Sequence, residues 1–479
     1  MQSKKLGILV GVIAFGYYAL LCARSYTWIF AGGDSGDWLA SASMWMNSQP
    51  YGSPLYILLC RLMYVLFPQH LVSALGIGLS VIPASITVAM VYLIVNKFTN
   101  YKIALISALV LLGAAIPLSQ ATIIEEYAIS CMFLTLAFYF YIENRRKLTI
   151  LMLALGSTVH VIVMGIGFVW LIVNIRDIKL WWKTLWIFLV VGILPYSMVL
   201  ILMYADVPRF LSGSLSWQGI NNYLSSTDTL GSMSLWEAPK RLLYFGMIII
   251  VSLGFAVIPL VRQFKDILKE HNKMFLVALA SIIFTTWLYI ANRDPSTWTF
   301  MNFTFPMVAV LIGVGLYKLS KFHKQMVAIG ACGLILVNGF FLNANTLTDR
   351  YPLATDYEKA LKALPDYSYV ISFSGGNYSL DNFYVYAQGK QVIPLFYFNV
   401  TPSKRQWEQT PRYYSYRQWL LKNYGVEGAD TMQQTLFLLD HGKDVFITKV
   451  TIVPEWQGIF KTVPYNETFD RVVGVSWSE

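Results

Sequence analysis

The sequence predicts a polytopic α-helical membrane protein with a small α/β domain at its C-terminal end. Three observations predict it. Hydrophobic residues fill 56% of the 479 positions and charged residues 13%, with a mean hydropathy of +0.53, a balance typical of integral membrane proteins. Long apolar runs recur from Leu6 to Leu342 and then stop. The positive charge gathers on alternate connections between those runs.

The net charge of +10 could by itself suggest a nucleic-acid partner. Its distribution argues otherwise. Lys4, Lys5, Lys97, Lys102, Arg145, Arg146, Lys147, Arg176, Lys179 and Lys183 fall in connections of one set, as do the basic residues around 262–273 and 318–324. That set holds 17 of the 36 Lys and Arg against 4 acids, while the opposite loops and the C-terminal region are each close to neutral. This is the positive-inside asymmetry. It places the N-terminus in the cytoplasm and calls for no nucleic acid.

Cys22, Cys60, Cys131 and Cys332 lie in or beside apolar runs. They form neither a disulfide framework nor a metal-ligand spacing, and read as buried small hydrophobes. The run 6–23 is too long for a signal-peptide core and has no convincing cleavage site, so it reads as an uncleaved first helix.

Walking outward from that helix, residues 24–70 form a long outer loop. Within it, 36–47 reads as an amphipathic helix lying on the membrane, and 54–67 as an apolar helix too short to span comfortably. A second helix (71–95) returns inside. Helices 103–118 and 127–142 form a hairpin with Glu125 and Glu126 in its outer turn. Residues 149–173 could cross once, yet both ends meet inside-type basic residues. Gly156, Gly165 and Gly167 surround His160 there, which suggests two short helices entering and returning with a bend near His160. Irregular backbone at membrane depth is tolerated where it lines protein or a wet cavity. Helices at 184–203, 241–261, 274–291, 299–317 and 325–342 then complete nine crossings plus one re-entrant pair. The domains are therefore 1–342, in the membrane, and 343–479, outside it. In the latter, YVISF, VIPLFYF and DVFITKV read as strands, and DYEKALKAL and RQWLLKNYG as helices.

The most informative stretch is 32–59, GGDSGDWLASASMWMNSQPYGSPLYILL. Asp34 and Asp37 are three residues apart, so on a helix they share a face, just where the chain leaves the bilayer. Asp34 could also serve simply as a helix N-cap. Further along come DSGD (34–37), PYGSPLY (50–56), ILLCRLM, the Glu125-Glu126-Tyr127-Ala128 turn and His160. On these motifs the chain resembles the GT-C superfamily of polytopic glycosyltransferases. More narrowly, it is similar to the protein O-mannosyltransferase-like group once catalogued as domain of unknown function 2723. Ser53 replaces that group's usual aromatic, and Asp37 stands where Glu is commoner.

The resemblance implies a GT-C-like membrane domain that takes a sugar, with mannose the family-level guess, from a polyprenyl-phosphate carrier. The sugar passes to an acceptor hydroxyl of a protein, a lipid or a surface polymer on the outer face. Such a transfer needs a base for the attacking hydroxyl and donors around the leaving phosphate. Asp34 is expected to be the base of an inverting displacement, with Asp37 orienting the acceptor or sharing that role. Glu125, Tyr127 and His160 are expected to contact substrate, as an ionisable group at membrane depth suggests for His160. Arg293 and Arg61 are candidates for the phosphate, although Arg61 could merely snorkel. Trp217 and Trp298 could stack on sugar. The acids could also hold a divalent cation. The membrane would be the plasma membrane in a prokaryote. A transporter or flippase of lipid-linked glycans is the alternative; the single helix interruption and the absence of a repeat count against it.

Overall fold

A computed structural model describes residues 2–22, 35, 38–39, 42, 53–175, 178–204, 237–291, 295–347, 360–372, 393–396, 420–421, 424–428, 431–449 and 460–475. The described part is mostly helical, with a small sheet near the C-terminus.

Helix α1 (Gln2–Cys22) packs on α4 (Ile82–Phe98). Between them lie the short apolar helix α2 (Pro54–Leu66) and α3 (Leu71–Leu75), which runs into α4 through a π-helical turn at Gly76–Val81. Residues 35, 38–39 and 42 are helical, while the rest of the expected surface helix 36–47 lies outside the described residues.

The expected single helix at 103–118 is instead two, α5 (Tyr101–Gly113) and α6 (Ala115–Ala121), bent by 67°. Pro117 explains the break: it has no N–H to give the Gly113 carbonyl. That carbonyl accepts a 2.6 Å hydrogen bond from Asn338 Nδ2. Helix α7 (Tyr127–Ile142) coincides with its expected range.

Two helices follow, α8 (Arg146–Val159) and α9 (Val161–Val173), parted only by His160 in extended conformation (φ −148°, ψ 129°). They fold back on each other. A Cβ on Gly167 would lie 3.7 Å from Leu153, fourteen residues earlier, and one on Gly156 would lie 2.8 Å from Val163. Straight continuation would hold residues 153 and 167 about 20 Å apart. Gly156 is therefore where the hairpin admits no side chain.

Helix α10 (Ile178–Tyr204) contains Pro195. The expected crossing at 241–261 divides into α11 (Glu237–Leu253) and α12 (Ile258–Glu270) across a 3₁₀ turn that begins at Gly254, whose φ of +53° suits glycine. Helix α13 (Asn272–Ala291) is followed by a 3₁₀ segment, Pro295–Phe303, and only then by α14 (Phe305–Tyr317). The expected helix at 299–317 thus starts late. Pro306 again lacks the N–H that would bond residue 302, and Cys131 Sγ donates to the Asn302 carbonyl instead. Helix α14 is buried from Phe305 to Leu316, at the centre of the bundle. Helix α15 (Lys321–Leu347) closes the membrane part.

Among the described residues four helical stretches are long and apolar enough to cross a membrane, α11 and α12 counting together as one, or five if α5 and α6 also count as one span, and shorter apolar helices accompany them. Exposed Ile, Leu, Val and Phe side chains cover the outer faces of α1, α10, α11 and α15, as lipid-facing helices require. Cys332 is exposed on α15, unlike the three other, buried cysteines; on a lipid-facing surface a small apolar group need not be buried.

The C-terminal sheet has the order β2-β1-β3-β5-β4. Strands β1 (Tyr369–Ser372), β2 (Ile393–Phe396) and β3 (Val445–Thr448) are parallel; β5 (Phe469–Val475) runs antiparallel to β3 and to β4 (Phe460–Pro464). Asn466 Oδ1 accepts from the Thr468 and Phe469 N–H groups and builds the β4–β5 turn. Tyr369 and Ile371 face one apolar cluster, while Val370 joins the cluster of the membrane helices. This is the period-2 alternation of a strand covered on both faces. Helix α16 (Thr431–Asp440) precedes β3.

Candidate active site

The segment between α6 and α7 carries Glu125 and Glu126, and several contacts fix its course. Ser80 Oγ, in the π turn, donates to the Ile123 carbonyl, and Ser130 Oγ donates to the Glu126 carbonyl. A π turn re-aims side chains over one helical turn and occurs often at functional sites. Asn302 Nδ2 donates to the Tyr127 carbonyl at 3.3 Å, tying the 3₁₀ segment to the start of α7.

Both carboxylates are thereby buried. Glu125 is 3% exposed and Glu126 0%. His160, at the apex of the α8–α9 hairpin, is 2% exposed. Its Nε2 lies 3.8 Å from Glu126 Oε1. Its Nδ1 accepts from the Ile162 N–H at 3.1 Å, so the imidazole caps α9. A neutral imidazole bonded in that way carries its hydrogen on Nε2, the atom facing Glu126.

An aromatic wall surrounds the pair. The Tyr127 ring lies 5.2 Å from that of His160, and the Phe303 and Phe300 rings lie 5.8 and 6.0 Å from it. Helix α2 contributes Tyr56 and Cys60. Tyr56 lies close enough to Glu126 and Glu125, and Cys60 to Glu126, for their side chains to interact electrostatically. Trp38 meets the Tyr56 ring edge-on at 4.7 Å. The Tyr56 hydroxyl and Trp38 Nε1 are both buried with no hydrogen-bond partner among the described residues. Buried polar atoms in that state call for an explanation, and a bound polar ligand would supply one.

The structure therefore brings together Glu125, Tyr127 and His160 of the residues expected from sequence. The carboxylate facing His160 is that of Glu126, not Glu125. Arg61 is engaged elsewhere: its Nη1 donates to the Ala42 carbonyl at 3.0 Å and its guanidinium lies 4.8 Å from the Tyr64 ring centre. Asp34, Asp37, Arg293 and Trp217 lie outside the described residues, as does the side chain of Trp298. Sequence reasoning missed Tyr56, Trp38, Asn302, Phe300 and Phe303. Tyr56 had a usable signal: it shares a face with Cys60, four residues on, in a helix too short to span. Among the described residues no three His, Cys, Asp or Glu gather as a metal site.

Residues 23–355 match the model of the EpsG family. The chain belongs to the EpsG family. No curated protein matches the sequence. Among solved structures, this EpsG-family chain is similar to ArnT from Cupriavidus metallidurans bound to undecaprenyl phosphate, with a TM-score of 0.69 at 12% identity over 97% of each chain. It is similar also to the apo state of that protein, with a TM-score of 0.66 at 11% identity over 98% of each chain. The Archaeoglobus fulgidus oligosaccharyltransferase tethered with an acceptor peptide gives a TM-score of 0.51 at 11% identity, covering 93% of this chain and 69% of that one. At such identities the likeness is one of fold: this member of the EpsG family has the GT-C fold of membrane glycosyltransferases.

Proposed function

We propose that this chain is a glycosyltransferase that moves a sugar from a polyprenyl-phosphate carrier to an acceptor hydroxyl on the outer face of the membrane. The observation that carries the reading is the buried Glu126–His160 pair, 3.8 Å apart at the apex of a broken helix pair. Ionisable residues in such a place mark substrate pathways or reaction centres. The fold supports the same reading, since the ArnT structure similar to this one holds undecaprenyl phosphate.

In the proposed reaction the acceptor oxygen attacks the anomeric carbon from the face opposite the carrier. The bond from that carbon to the phosphate oxygen breaks, polyprenyl phosphate leaves with the electron pair, and the hydroxyl proton passes to Asp34. One displacement inverts the anomeric centre. Asp37 orients the acceptor. Glu126 and Glu125 accept hydrogen bonds from sugar hydroxyls, His160 Nε2–H donates to the sugar or its phosphate, and Arg293 holds the leaving phosphate, with Arg61 a further candidate. A carboxylate is a weak base, so positioning and leaving-group stabilisation supply most of the acceleration. Mannose is the donor sugar that the narrower resemblance to the O-mannosyltransferase-like group points to, and the acceptor hydroxyl belongs to a protein, a lipid or a surface polymer. The N-terminus lies in the cytoplasm and the C-terminal domain outside, across nine crossings and the α8–α9 hairpin.

The test is sugar release from a panel of polyprenyl-phosphate sugars by purified protein in liposomes, with membrane extract as the acceptor pool. Wild type and Asp34→Asn are compared. Turnover by wild type that falls by about 100-fold or more in Asp34→Asn is expected. Equal turnover in both removes Asp34 from the mechanism, and a folded wild type inert with every donor overturns the reading.

A further inference from the structure

A cavity reaches from Thr304, at the N-terminal end of α14, to α12. It has a volume of about 770 Å³ and runs between α11, α12, α13 and α14, within the roughly 300–1,000 Å³ typical of small-ligand sites. Hydrocarbon side chains line it, among them Phe245, Ile249, Leu260, Phe275, Leu279 and Leu311. Thr304, at the N-terminal end of α14, marks one limit. Arg262, Lys265 and Asp266 of α12 mark the other. Val261, also on the lining, is 72% exposed, so the cavity opens sideways onto the apolar surface of the bundle.

Helix α12 is built for a membrane interface. Arg262, Lys265 and Lys269 recur at helical spacing on one face, while Ile258, Val261 and Phe264 are exposed apolar residues. Basic amphipathic helices of this kind lie in the headgroup region and attract anionic lipid. Arg262 is already oriented: its Nη1 donates to His323 Nε2 at 2.6 Å, and His323 Nδ1 bonds Ser320 Oγ at 2.7 Å. A guanidinium has five N–H donors, so others remain for an oxyanion. Two cations and one carboxylate leave the mouth net positive over an apolar slot that opens to the bilayer, which complements a lipid with a phosphate head and hydrocarbon tails.

We propose that this cavity is a site for an anionic phospholipid, with its phosphate on Arg262 and Lys265 and an acyl chain in the slot below Thr304. The thirteen residues of α14 span about 20 Å. Arg262 is bonded to His323, beyond the C-terminal end of α14, while His160 packs on Phe303 at its other end, so the proposed headgroup site is distinct from the candidate active site. Thr304 Oγ1 shares a 2.6 Å hydrogen bond with Thr285 Oγ1, directly after the 3₁₀ segment that carries Phe300, Asn302 and Phe303. A chain filling the slot would brace that segment from beneath.

The test uses the full chain purified into vesicles of phosphatidylcholine alone or mixed with phosphatidylglycerol. Melting temperature and lipid retained in native mass spectrometry are the readouts, so the outcome does not depend on the enzymatic reading. Phosphatidylglycerol is expected to stabilise wild type and the control pair Lys321→Gln/Lys324→Gln alike. The pair Arg262→Gln/Lys265→Gln should retain about tenfold less phosphatidylglycerol or lower still. Leu279→Trp, which fills the slot and leaves the charges intact, should lose retention as well. Equal retention of both lipids by wild type overturns the proposal, as does a control pair that loses as much as the Arg262/Lys265 pair. Full retention by Leu279→Trp, or displacement of phosphatidylglycerol by polyprenyl phosphate, overturns it too.

Discussion

At the N-terminal end of α14, two glutamates and a histidine are buried among aromatic rings, whereas around its C-terminal end Lys318, Arg262 and Lys265 stand at the surface. The two ends teach different lessons about charge in a membrane protein. Exposed cations cost little and set orientation against the membrane. Taking a carboxylate out of water costs several kcal/mol, of order, per ion, and packing alone gives no return for it. The buried end is thus where selection for chemistry is to be sought, and the exposed end where selection for placement is to be sought.

The sharpest way to break this contrast is Glu126→Gln. Removing a buried charge should leave the melting temperature no lower than that of wild type, while sugar transfer falls by about 100-fold or more. A variant that transfers normally would reduce the buried end to architecture. His160 comes next, because it does two things. His160→Ala should cost about 1 kcal/mol through the lost helix cap and about tenfold or more in turnover. In His160→Asn the side-chain oxygen can cap α9 again, so stability should return without the turnover; recovery of both would make His160 a cap only. Gly156→Val then tests the hairpin that presents the imidazole. Overpacking against Val163 and Phe133 should destabilise by about 1–3 kcal/mol, while Gly330→Val, with open space around it, should change nothing measurable in a thermal melt.

The smallest effect belongs to the basic end. Lys97 pairs with Glu143, and its hydrogen bond holds that carboxyl below the usual glutamate range. A lowered folded-state value stabilises at pH above the ordinary glutamate value and is lost as pH falls through the folded one. Lys97→Met should therefore cost roughly 0.2–1 kcal/mol at neutral pH, and the difference from wild type should vanish in acid. A constant difference across the titration would show that Lys97 acts through packing.

The helices were largely legible because hydropathy reports burial in lipid directly. Their interruptions were less so. Hydropathy does not register which carbonyl loses its donor, so the bend after Gly113 and the 3₁₀ start before Phe305 went unread, although Pro117 and Pro306 stood in plain view. The His160 break was readable because glycines flank an ionisable residue. Which of Glu125 and Glu126 lies nearer His160 was beyond the sequence: adjacent residues at a helix entry diverge only once the turn is built, and here distant Ser80 and Asn302 help build it. In the C-terminal domain the parallel strands read clearly. The β4–β5 hairpin went unread, because its Asn466 turn lies between strands of mixed polarity.

The bond from the Ile162 amide to His160 Nδ1 has a consequence for proton traffic. A ring nitrogen that accepts an amide hydrogen cannot also take up a proton without setting two donors face to face and uncapping α9. The imidazole is thereby confined to giving from its far side. In the proposed reaction the proton released by the acceptor would then have to travel to a carboxylate, so the helix cap itself would divide the site into a group that donates and groups that receive.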